Sequence, residues 1–157
     1  MGSNADFAWK EYTSSETTGV PTNLNFGSTN ARDLTPLSHP IMVDSRSFSK
    51  VITGNFTDIN EKVLNVKFWK SAGTYVTGES VKFKTTDEYE DPSTDDISGA
   101  DIPVSVPANN VGIGGSTAGE LTEDGETDYI VLQKHIADTA GPGVTNTLTF
   151  TLQYDEI

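Results

Sequence analysis

Apolar and polar residues alternate with a period of two in four stretches of this 157-residue chain. In "KVLNVKFWK", Leu64, Val66 and Phe68 fall on one side, Asn65 and Lys67 on the other. In "SVKFK", Val81 and Phe83 alternate with Lys82 and Lys84. In "DYIVLQKHI", Ile130 and Leu132 oppose Val131 and Gln133. In "TNTLTFTLQYDE", Leu148, Phe150, Leu152 and Tyr154 alternate with Thr147, Thr149, Thr151 and Gln153. This period predicts half-buried strands, and β-branched Thr suits the wet side of a pleated surface.

Further strands are predicted over Phe7–Tyr12, Thr22–Phe26, Phe48–Thr57 and Ile102–Val106. The run "SFSKVITGNFTD" places Phe48, Ile52 and Phe56 on one side, with Lys50 and Gly54 between them. Lys50 interrupts the apolar side and predicts a partly exposed or bulged strand. Gly and Pro punctuate the chain at "GVP", "HP", "DP" and "GPG". No segment has apolar spacing of 3.6 residues, and "TNARDLTPL" holds one helical turn at most. Short strands separated by turns predict an all-β, single-domain antiparallel β-sandwich over residues 6–157, Ig-like or jelly-roll-like, with about eight strands. Residues 1–5, "MGSNA", are set apart as an N-terminal extension or cloning remnant. In the aromatic stretch from Val63 to Phe83, "SAGTYVTGE" reads as a turn between two core strands. Phe68 and Phe83 then belong to the core. Trp69 points the other way, at a sheet margin or on a contact surface.

Charge narrows the partners. The chain has 23 acidic and 10 basic side chains, a formal net charge of −13. Such a surface repels phosphate backbones and anionic lipid, so neither nucleic acid nor membrane is expected as a partner. No run of about 18 apolar residues predicts a spanning helix. The N-terminus lacks the apolar stretch of a secretory signal. With no Cys the fold gains nothing from disulfides, which fits assembly in a reducing cytosol.

Candidate chemistry is sparse. "TTDEYEDPSTDDISGAD" carries seven acids from Asp87 to Asp101 and "GELTEDGETD" five more, but no Ca²⁺-loop spacing orders them. Solvated loops account for them, and no cofactor or metal is expected. His39 and His135 are the sole histidines, and no nucleophile elbow accompanies them. The Gly-rich "GIGGS" lacks the Lys of a phosphate loop and reads as a flexible connection. A Ca²⁺-stabilised hydrolase would need a polar cleft joining a histidine to several acids. The aromatic residues carry more promise for binding. Phe7, Trp9, Tyr12, Trp69 and Tyr75 are the candidate partner-binding residues. Phe7 to Tyr12 is either a terminal arm that docks on a partner's sheet edge or the first strand of its own sandwich. Trp69 and Tyr75, if they share an open face, would suit a carbohydrate-binding or receptor-contact module.

Five blocks in order, "ADFAWKEY", "NLNFGSTNARDLTPLSHPI", "VKFWKSAGTYVTGESVKF", "DYIVLQ" and "LTFTLQYDE", resemble a group of small virion structural proteins of tailed bacteriophages. They cover 60 of the 157 residues, and none is a catalytic signature. The resemblance implies a non-enzymatic particle component made in the host cytoplasm. The acidic surface disfavours the DNA-facing interior, and the absence of heptads disfavours a fibre shaft. The expectation is a head decoration protein on the outer virion surface. Its partner would be the major capsid protein or another virion protein, and it would be a homo-oligomer such as a trimer.

Overall fold

The computed structural model describes residues 4–157. The chain folds as an antiparallel β-sandwich of an eight-stranded and a three-stranded sheet. The long strands are β1 (Asp6–Tyr12), β4 (Lys50–Thr57), β5 (Val63–Ala72), β6 (Glu79–Thr86), β10 (Tyr129–Ile136) and β11 (Thr149–Glu156). Two-residue strands complete the sheets: β2 (Thr18–Gly19), β3 (Ser45–Arg46), β7 (Ala100–Asp101), β8 (Glu120–Leu121) and β9 (Gly125–Glu126). The larger sheet runs β2-β1-β4-β10-β6-β7, with β3 on β10 and β9 on β4; the smaller runs β11-β5-β8. The segment "SAGTYVTGE" therefore crosses between sheets and is not a hairpin.

Between the sheets lies the main core, where Ile52, Ile130, Leu132 and Val81 meet Val66 and Phe68. Phe150 and Phe83 stack on either side of Phe68, with centroids 6.0 and 5.8 Å away. The second face of the larger sheet is also covered. Residues 87–99 cross it and lay Ile97 and Tyr89 against Tyr12, Val51 and Val131. The acidic strap is thus a lid on a second apolar cluster, with Asp91, Asp95 and Asp96 turned outward. Burial on both faces explains why β4 and β10 read as near-continuous apolar runs.

Several sequence expectations change. Thr22–Phe26 is a loop, although Phe26 is buried. Ile102 continues β7 by one bond to Val81 O, and then Pro103 ends the pairing. Lys50 neither exposes nor bulges its strand, because Glu11 meets it inside the sandwich. Leu64 is only half-buried and Val63 takes its place inside. The cause is a bulge at Asn65, whose φ of 55° makes Asn65 and Val66 share the place opposite Tyr154. "GIGGS" is anchored: Val111 and Ile113 are buried in the core, and Gly115 N–H donates to the Asp128 carboxylate. Ala5, set with the N-terminal extension from sequence, is buried and its N–H donates to Glu156 Oε1 at 2.7 Å; residues 1–3 lie outside the described residues. The single 3-10 turn among the described residues is Pro36–Ser38.

Candidate functional site

The five candidate aromatics do not converge. β1 pairs with β4 along its whole length, from Asp6↔Thr57 to Tyr12↔Val51. This strand belongs to the sandwich and is no free arm. Phe7 packs on Phe56 and edge-to-face on Trp9, with centroids 5.2 and 5.1 Å away. Trp9 in turn meets Phe68. Tyr12 faces the opposite side of the sheet, beside Tyr89 and Tyr129, and donates its hydroxyl to Glu126 Oε2 at 2.6 Å. Trp69 is 8% exposed. Tyr75 is half-buried against the main core, under the Lys70 ammonium. Stacking a sugar ring needs an open aromatic face, and Trp69 and Tyr75 form no such platform together.

Instead, the surface feature that departs from an ordinary acidic exterior lies at one end of the sandwich. A groove of about 1120 Å³ opens there between loop residues 23–43 and 140–148. Leu24, Phe26, Ile41, Ile136, Leu148 and Phe150 line it. Its rim carries Leu37 and Val144, 82% and 81% exposed, and the less exposed Val43; Met42 adjoins it in sequence. Strand geometry places this groove. β10 ends there with Lys134 and Ile136 facing inward, and β11 begins there with Phe150. The Lys134 ammonium lies 3.5 Å from Glu79 Oε2, 3.3 Å from Thr145 Oγ1 and 5.5 Å from the centre of the Phe26 ring. Sequence reading missed this cluster because Leu37, Ile41, Val43 and Val144 lie on loops, and no period shows that they meet the strand residues Ile136 and Phe150.

His39 also lines the groove, and His135 lines a smaller cleft of about 340 Å³ with Asp44, Arg46 and Lys82. His135 Nε2 lies 3.0 Å from Gln133 Oε1, and burial pulls its pKa down. Ser98 N–H donates to Asp96 and holds that carboxyl below its usual value. Among the described residues no three His, Asp or Glu side chains form a group that could hold a metal ion. No helix of the described residues is long and apolar enough to cross a membrane. Comparison with family models, with curated proteins and with solved structures yields no match for this chain.

Proposed function

We propose that this chain is a non-enzymatic virion structural protein of a tailed phage, a head decoration protein. It would bind the outer capsid surface and stabilise it by bridging neighbouring capsid subunits. The observation that carries the reading is the exposed apolar rim of Leu37, Val43 and Val144 around a groove, on a body of net charge −13. Contiguous exposed apolar surface marks a contact site, while the acidic remainder keeps the molecule in solvent. The five blocks that resemble virion proteins supply the particle context. Repetition on a capsid lattice then gives many modest contacts a large combined strength.

Antibody labelling of particles made by the genome that encodes this chain tests the reading. Regular labelling of the head supports it. Absence of the chain from purified particles, or labelling confined to the tail, defeats it. Leu37→Asp/Val144→Asp is expected to leave the fold intact and to reduce occupancy of the head by about tenfold or more.

A further inference from the structure

Among the described residues, β11 is the only long strand of the smaller sheet with a free side. It pairs with β5 through seven positions, and among the described residues no backbone group from Thr149 to Glu156 bonds to any other segment. The other edges are blunted. The larger sheet ends in β2 and β7, each two residues long. β1 is open beyond β2 from Asp6 to Lys10, where both end residues are charged. The far side of β5 is satisfied: β8 covers Val63 and Leu64, Asn110 and Val111 N–H donate to Val66 O, and Lys70 N–H donates to Pro103 O. The Asn110 side chain bonds both backbone groups of Phe68. β11 is less protected, because its two charges, Asp155 and Glu156, lie together at one end. Its sequence, TFTLQYDE, contains no Pro or Lys, and both register shifts place their extra residue in β5.

We propose that this edge pairs antiparallel with β11 of a second copy of the chain, continuing the smaller sheet across a two-fold axis. The strand is complementary to itself in one register. With Leu152 opposite Leu152, Phe150 faces Tyr154, Thr151 faces Gln153 and Thr149 faces Asp155. Phe150, Leu152 and Tyr154 all point to the core side, so the aromatic pairs form on the side that continues the core. Asp155 and Glu156 lie at one end of the strand, and antiparallel pairing sets them against Thr149 and Leu148, away from each other's charge. The two bodies still repel through their net charge. Salt screens that repulsion, so pairing strengthens as ionic strength rises, the reverse of an association held by ion pairs.

The pairing stands apart from the capsid reading, because it is measured on the isolated protein. Sedimentation equilibrium over a concentration series, at low and high salt, is expected to show a monomer–dimer equilibrium shifted toward dimer by salt. Thr151→Lys/Gln153→Lys puts two like-charged pairs across the axis and is expected to weaken it about tenfold or more. Thr151→Lys/Gln153→Glu makes those pairs opposite in sign and restores it. Circular dichroism at a concentration where wild type is monomeric checks that both variants fold. In wild type, amide exchange along β11 slows as concentration rises. A monomer throughout the series, exchange indifferent to concentration, or equal weakening by both variants overturns the proposal.

Discussion

At the scale of single residues, buried polar groups decide how the protein answers pH. Lys50 Nζ donates to Glu11 Oε1 at 2.9 Å and to Ala31 O at 2.8 Å, with both side chains almost wholly buried. Burial raises the Glu11 pKa despite the ammonium beside it. A raised carboxyl favours the native state below its usual value, and that contribution is lost as pH rises through the raised one. Lys50→Met strands the carboxylate and is expected to cost about 3–5 kcal/mol at neutral pH. Part of the loss should return on acidification as Glu11 protonates; urea melts across that range measure it. Tyr12 and Tyr89 are both pushed up to about 12, chiefly by burial and then by Glu126 and Asp91 respectively. Both sites therefore oppose unfolding below pH 10 and lose that effect between 10 and about 12. Absorbance titration should show Tyr12 and Tyr89 ionising late, with Tyr75 also delayed by burial, and Tyr12→Phe should remove one late step. The partner of Lys50 was illegible in sequence because Glu11 lies 39 positions away, and a lone Lys in an apolar strand says only that something is unusual. Asn65 is similar: nothing in its neighbours announces a left-handed bulge, yet the bulge alone moves Val63 inside.

At the scale of elements, Gln133 fastens the acidic strap to the larger sheet. Its Nε2 donates to Ser47 O at 3.1 Å and Asp95 O at 2.9 Å, and its Oε1 accepts from Ile97 N–H at 3.3 Å. Ser93 N–H donates to Ser49 Oγ, and Arg46 Nε to Thr94 O. Gln133→Leu leaves these buried groups unanswered and is expected to cost about 1–3 kcal/mol. Hydrogen exchange should show Ile97 opening first, while β4 and β5 stay protected. Long strands were legible because one or both faces are buried and the side-chain period shows it. The strap was not: charge dominates "DEYEDPSTDDISGAD", and only Tyr89, Pro92 and Ile97 point inward. The strand expected at Thr22–Phe26 failed for the opposite reason. Leu24 and Phe26 alternate correctly, but they pack as single anchors of a loop with no neighbouring strand to receive their backbone.

At the scale of the molecule, the sheet order makes β1 a full member of the larger sheet. Removing residues 4–12 takes away the strand that covers β4 and the rings of Phe7, Trp9 and Tyr12. The expected outcome is an unfolded chain by circular dichroism, in place of the folded body that a dispensable arm would leave. Contact residues are harder to read from sequence than the fold, because aromatic residues announce burial and binding in the same way. Here Phe7, Trp9, Tyr12 and Tyr75 pack against the core clusters and Trp69 is buried. The groove comes from where loops meet at the strand ends, which depends on the complete topology. The latch from Ala5 to Glu156 carries a consequence of its own. It brings Ala5 and Glu156 side by side, at the end of β11 opposite the groove that Phe150 lines. Polypeptide joined at these two points therefore sets out from neighbouring places, with the length of β11 between it and the apolar rim. A circular permutant that links Ile157 to Ala5 by a short linker and opens at Gly141 should keep the native melting profile.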